Sequence, residues 1–424
     1  MPLPLSDFSE LAGQLKAGAD IVMHSDFAEP GFLARQLAQR AALFHGTKLH
    51  TLMPMGQPPY ATVRVASDLQ LESFFPGSGL RQAVNKGLVK PRRCALSEIP
   101  EFFRQREINA DMVLLQVSAP NAAGEVSLGI SVDYMREVLA QNPIVVAQIN
   151  PQMPFTFGDA VISMSCIDYV VEVDEPLLEF PSSAADEVDS RIARHVASLI
   201  DDGDVVQAGI GSLPDAVLAN LEHLKKLGSH TGILTAGWMP LIEKGVVDNS
   251  AKKTYPGITI TTMAGGDQAF YRFLDNNPTI QFLSCSVTHS HSVLAATNRL
   301  CAINSVLQMD LAGNANAESV NGRLISTPGG LPDFARGATQ SSGGKSIIAL
   351  RSSFKNGEVS NIVSRLSNDV PVTLTQRDIS FVVTEYGIAD LGGLDAVARA
   401  KALINIAHPE HQESLARQWH AAKL

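Results

Sequence analysis

The sequence predicts an α/β protein built on mostly parallel sheets. Short β-branched or apolar runs alternate along the chain with longer stripes of helical period. The spacing between runs leaves room for the crossover helices that parallel strands need. Hydrophobic residues make up 45% of the 424 and charged residues 18%, enough apolar material for large cores in two or three domains.

In chain order, the periodicity predicts a helix over 29–43, a strand over 112–117, a helix over 131–140 and a strand over 144–149. The small, polar stretch Phe180-Pro181-Ser182-Ser183-Ala184-Ala185 then reads as a boundary. It divides the chain into 1–183 and 184–424. A helix over 187–200 follows at once, with Val188, Ile192, His195, Val196 and Leu199 on one stripe. Next come a strand over 204–208, a helix over 215–227, strands over 258–263, 346–350, 370–374 and 381–384, and a helix over 394–406.

Acidic residues number 43 against 33 basic, a formal net charge of −10. That balance argues against nucleic acid, whose non-specific binding needs a basic face. The run Arg81, Lys86, Lys90, Arg92 and Arg93 reads as a solvated helix face. No apolar run approaches the length of a membrane span, and residues 1–16 lack a basic-then-apolar leader. Cys94, Cys166, Cys285 and Cys301 are far apart and form no C-x-x-C pair, so buried free thiols are expected. These features together predict a cytoplasmic protein with no membrane partner.

The strongest local signal is Gln207-Ala208-Gly209-Ile210-Gly211-Ser212-Leu213-Pro214-Asp215. It reads as strand, glycine turn and helix, with Ser212 as the cap and Pro214 in the first turn. Gly209 and Gly211 let backbone approach a ligand closely, and free N–H groups at a helix start favour an anion. Pro214 stands where a dinucleotide fingerprint needs its third glycine, which disfavours that fold. Gly329-Gly330 and Gly343-Gly344-Lys345-Ser346 are further glycine clusters. The second ends like a phosphate loop, but Thr339 occupies the position of its first glycine. There is no Gly-x-Ser-x-Gly elbow. His289-Ser290-His291 and His408-Pro409-Glu410-His411 lack the three or four ligands of a zinc site, so no metal is expected. Glu385 follows an apolar strand beside a glycine turn, a position that places a carboxylate at a sheet crevice.

Taken together, these segments resemble the acetyl-CoA hydrolase/transferase family, which includes 4-hydroxybutyrate and butyrate CoA-transferases. The resemblance is carried by Gln116-Val117-Ser118, Ser127-Leu128-Gly129, Ser131-Val132-Asp133 and Gln148-Ile149-Asn150 in the first half. In the second half it is carried by Gly209-Ile210-Gly211, Ala302-Ile303-Asn304-Ser305, Gly329-Gly330, Gly343-Gly344-Lys345-Ser346, residues 384–391 and Asn405-Ile406-Ala407-His408-Pro409. It implies two similar α/β/α CoA-transferase-like domains in tandem, with the active site in the cleft between them. It further implies acyl-CoA and small carboxylates as substrates, coenzyme A as substrate with no tightly bound cofactor, and a homodimer or tetramer. Gly209, Gly211, Gly329, Gly330 and Lys345 are then the coenzyme-binding residues. Asn304 is the candidate oxyanion donor, and Gln57 is a pocket residue from the first domain.

The chain departs from the family at one informative place. The family's nucleophilic glutamate matches Gly232, in Gly228-Ser229-His230-Thr231-Gly232-Ile233-Leu234, or His230 if the register slides by two. Neither is a carboxylate, and none lies between Glu222 and Glu243. Three readings stay open at this level. Another carboxylate acts, Glu385 first, or transfer runs directly between bound substrates. Alternatively, His230 or Glu385 activates water for hydrolysis. In the third reading the chain binds acyl-CoA with little turnover.

Overall fold

The computed structural model describes residues 2–421 apart from 6, 182, 183 and 356. It forms two compact units, Met1–Pro181 with Ile260–Thr288, and Ser182–Thr259 with His289–Leu424. Ser182 and Ser183, where the sequence places the boundary, lie outside the described residues.

The first unit is built on eight strands: β1 Leu3–Pro4, β2 Asp20–Met23, β3 Lys48–Leu52, β4 Gln70–Phe75, β5 Val89–Pro91, β6 Ala110–Val117, β7 Ile144–Ile149 and β8 Tyr169–Glu172. Their order is β1-β8-β7-β6-β2-β3-β4-β5. Every neighbouring pair is parallel. Met112, Val113, Leu114 and Leu115 in β6 are buried without alternation, as expected of a strand covered on both faces. Helix α1, Gly31–Gln39, packs Leu33, Ala34, Leu37 and Ala38 onto the same core. The helix expected over 29–43 is therefore shorter. Pro30 occupies its N-cap, and the stripe continues past Arg40 only as the 3₁₀ turn Ala41–Phe44. The helix expected over 131–140 shrinks to Met135–Leu139, because Ser131 and Asp133 are drawn into a buried polar cluster.

The second unit is built on helices α2 Glu187–Ala197, α3 Ser212–Ala219, α4 Leu331–Gln340, α5 Ala396–Asn405 and α6 Pro409–Ala421 around six strands. These are β9 Val205–Ala208, β10 Gly228–Ser229, β11 Leu300–Ser305, β12 Lys345–Ala349, β13 Phe381–Thr384 and β14 Gly387–Asp390. The order is β10-β9-β11-β12-β13-β14. All pairs are parallel except β13–β14, which turns back through Glu385 and Tyr386. The core gathers Met309, Leu311, Ile348, Leu350, Val382, Leu403 and Leu415.

Some expectations are corrected. Residues 370–374 are not a strand: only Leu374 forms an isolated bridge, to Ala315, in a stretch broken by Pro371. The run 258–263 splits at Thr262 into Thr259–Thr261 and Met263–Gly265. Helix α3 stops at Ala219 rather than continuing to 227. Cys94, Cys285 and Cys301 are buried, but Cys166 is exposed.

Candidate functional site

In the second sheet the chain steps from β9 outward to β10, then returns to β11 on the other side and continues to β12 and β13. The strand order reverses between β9 and β11. Open parallel sheets bind ligands outside the carboxyl ends at such a reversal. Gly209, Ile210 and Gly211 leave β9 at that end, Asn304 and Ser305 close β11, and Glu385 follows β13.

Gly211 has φ +116°, a conformation L side chains rarely adopt, so the turn into α3 depends on glycine. Gly211, not Ser212, is the N-cap. The expected serine cap is absent because the Ser212 hydroxyl donates to Asp189 Oδ2 at 2.7 Å. Asp189 is itself held by Arg351, whose Nη2 lies 2.7 Å from Oδ1. Arg351 also reaches Asp186, at 2.9 Å. This arrangement leaves the first N–H groups of α3 without a side-chain cap, a suitable seat for an anion.

Across the strand reversal, the Asn304 amide donates to Gln207 Oε1 at 3.0 Å, and Gln207 returns a longer bond of 3.4 Å. The pair is buried. An amide carries two protons, so one remains on Asn304 beyond this bond. Glu385 is half-buried. Its Oε2 accepts from the Ser352 N–H at 2.9 Å and its Oε1 from the Ser352 hydroxyl at 2.7 Å. Both oxygens are thus oriented by one residue, Ser352, three positions beyond the end of β12.

Strand β10 continues into His230, Thr231 and Gly232, all buried. His230 N–H donates to Val206 O, and the Thr231 hydroxyl bonds to Ala208 O at 3.1 Å, so this segment runs beside the end of β9. The His230 ring meets Phe334 edge-on at 6.3 Å. His289 meets the same phenyl ring edge-on at 4.9 Å. Burial, and secondarily His230, push the His289 pKa down to about 3. Gly329, at φ +58°, and Gly330 lead into α4. Gly232 and Gly330 both approach His289 Nε2.

Lys345 does not share this edge. It opens β12 at the opposite, amino end, paired with Cys301. Its ammonium donates to Leu199 O at 2.6 Å, Asp201 Oδ2 at 2.9 Å and Asp204 Oδ2 at 3.2 Å. Burial opposes its charge, but these acidic partners hold its pKa above the usual lysine range. Gln57 lies in the first unit, exposed, in the loop after Met53. Lys90 and Arg92 of the basic run pair with Glu72, and Arg92 also with Glu107.

Sequence reasoning missed His289 as a neighbour of Gly232, along with Phe334 and Lys252. Lys252 is buried; its ammonium donates to Ser229 O at 2.9 Å and Ile258 O at 2.6 Å. Burial pushes its pKa down to about 7. The sequence also hid a buried acid cluster in the first unit, where the strand order reverses between β2 and β6. The Ser25 and Ser131 hydroxyls each donate to Asp133 Oδ2 at 2.5 Å. Ser131 Oγ also lies 3.1 Å from Asp26 Oδ2. A hydroxyl has one proton. Ser25 supplies a proton to Asp133, and the single Ser131 proton can go to either carboxylate. Burial, with Asp133 as close neighbour, raises the Asp26 pKa well above the carboxylate range. Among the described residues, no group of three or more His, Cys, Asp or Glu could hold a metal ion. Among them too, no helix is long and apolar enough to cross a membrane.

A tandem pair of α/β units, one with its glycine turn, amide and carboxylate at the carboxyl edge, defines the class of protein. The chain belongs to the acetyl-CoA hydrolase/transferase family: the N-terminal domain profile matches residues 4–180 and the C-terminal one residues 266–419. It is 37% identical to the 4-hydroxybutyrate coenzyme A transferase of Clostridium kluyveri over 94% of this chain and 93% of that one. It is 36% identical to the succinyl-CoA:acetate/propanoyl-CoA:succinate CoA transferase of Fasciola hepatica, over 97% and 86%. Among solved structures, RipA from Yersinia pestis matches with a TM-score of 0.91 at 30% identity, over 98% and 97% of the two chains.

Proposed function

We propose that this chain transfers coenzyme A between a short acyl-CoA and a small carboxylate at the carboxyl edge of the second sheet, with Glu385 as nucleophile. The observation that supports this is the Glu385 carboxylate, half-buried at that edge and fixed through both oxygens by Ser352. Carboxylates are weak nucleophiles, but an acyl anhydride is as reactive as the thioester it replaces. A Glu385 oxygen attacks the thioester carbonyl and the CoA thiolate leaves, giving an acyl–glutamyl anhydride. The thiolate then attacks the glutamyl carbonyl, releasing the first carboxylate and leaving an enzyme–CoA thioester. The acceptor carboxylate attacks that thioester, and the returning thiolate takes the new acyl group. The remaining Asn304 N–H faces the role of oxyanion donor. The Gly209–Gly211 and Gly329–Gly330 backbones serve the coenzyme arm. Acetate, butyrate, 4-hydroxybutyrate, succinate and itaconate are the acceptor class, and the working form is a cytoplasmic homodimer or tetramer.

The test is incubation of the purified protein with butyryl-CoA and excess acetate, succinate or itaconate, following acyl-CoAs and free CoA by mass spectrometry. A new acyl-CoA without free CoA is expected. Free CoA alone would make the chain a hydrolase, and neither product with any acceptor would make it an acyl-CoA-binding protein.

A further inference from the structure

The His289 imidazole is wedged between two bare stretches of backbone. A Cβ placed on Gly232 would lie 2.7 Å from His289 Nε2, 3.0 Å from its Cε1 and 3.3 Å from Phe334 Cε2. A Cβ placed on Gly330 would lie 2.6 Å from the same nitrogen and 2.8 Å from Cδ2. Real Cβ atoms do not approach this closely, and the contacts are with a ring clamped edge-on against Phe334, not with the loose end of a flexible chain. Gly330 has φ −81° and ψ −6°, and Gly232 carries no positive φ. Neither position needs glycine for its backbone conformation. Both need it for the imidazole.

We infer that His289 is a positioning residue that fills the place of a side chain at 232, so that an imidazole at 289 and a carboxylate at 232 exclude one another. The missing carboxylate is then half of a paired arrangement, with Gly232, Gly330 and His289 interlocked. The imidazole that takes the space is neutral, since burial disfavours its charged form. It introduces no counter-charge, and it leaves the reacting carboxylate to be supplied from elsewhere along the edge. This inference deepens the transferase reading and rests on it only for the chemistry a new carboxylate at 232 would perform.

Two measurements test it separately. In the first, Gly232→Ala and Gly330→Ala are each made in the natural background and in His289→Ala, and thermal midpoints are compared. Each glycine substitution is expected to lower the midpoint by about 4 °C or more in the natural background and to be close to neutral in His289→Ala. Equal shifts in the two backgrounds would overturn the interlock. In the second, Gly232→Glu and the double variant Gly232→Glu/His289→Ala are mixed with acyl-CoA and examined by intact-protein mass spectrometry, in a Glu385→Gln background. An enzyme–CoA thioester is expected only in the double variant. Its appearance in Gly232→Glu with His289 present would overturn the exclusion. No adduct in either variant, alongside the thermal coupling, supports the interlock and counts against the transferase reading.

Discussion

Replacing Asp26 by asparagine should make the protein's stability less sensitive to pH. Asp26 and Asp133 share the Ser131 hydroxyl in a fully buried cluster, where two neighbouring anions would repel one another. Burial first, and then the Asp133 charge, raise the Asp26 pKa well above its ordinary 3.8. The folded state therefore keeps a proton that the unfolded chain releases above pH 4. Stability falls as pH rises through this window, by about 1.4 kcal/mol per pH unit while Asp26 stays protonated in the fold. Asparagine has nearly the same shape, keeps an acceptor oxygen for the Ser131 hydroxyl and does not titrate. Between pH 5 and 7 the advantage of Asp26→Asn over the natural protein should grow by up to about 2.7 kcal/mol. That corresponds to roughly 3 °C in melting temperature if the whole chain melts together, and about 6 °C if the first unit melts alone. Scanning calorimetry of both proteins across this range checks it, and comparing them cancels other titrating groups such as Glu29. Parallel curves with a constant gap would refute the proton assignment. Asp133→Asn removes the anion that accepts from Ser25 and Ser131, and should destabilise by about 3 kcal/mol.

Glu385→Gln should reduce CoA transfer by roughly two orders of magnitude or more with little change in melting temperature, read by single-turnover assay; unchanged transfer would remove Glu385 from the chemistry. Ser352→Ala, which loses the hydroxyl but keeps the backbone donor, should cost about tenfold or less. Lys345→Met should lower stability by only about 1 kcal/mol, since the buried Asp204 keeps Arg299 as a partner, while leaving KM for acyl-CoA unchanged, because the lysine stands at the amino edge. Lys252 has a folded pKa near 7, below its unfolded value of 10.5. The unfolded chain binds more protons between these values, so stability should rise with pH from about 7 to 10, and this rise should vanish in Lys252→Met.

Local sequence carried much of the architecture. The run Ile144–Ile149 and the run Phe381–Thr384 are strands with the expected bounds, because uninterrupted β-branched stretches between turn residues have few alternatives. The glycine turn at 209–211 was legible because backbone geometry demands a residue without a side chain. So was the carboxylate after β13, which needs only the strand's direction to be placed. The strands at 20–23, 48–52 and 70–75 were not legible, since the polar Asp20 and His50 within them meet only across neighbouring strands, with Glu72 3.9 Å from the ring on the other side. The same limit hid the chemistry. A missing carboxylate at 232 is visible in the sequence, but the imidazole that fills its place is 57 residues away and meets it only through folding. The family resemblance made Lys345 a coenzyme-binding lysine, yet the parallel register puts it at the amino end of its strand, beside two aspartates. Sequence by itself determined the α/β class, the family, strands such as Ile144–Ile149 and the glycine turn, because these show in local runs and motifs along the chain. Only the tertiary structure decided which end of a sheet a residue occupies, which carboxyl keeps a proton and which side chain fills a vacated space, because each depends on partners that are distant in sequence.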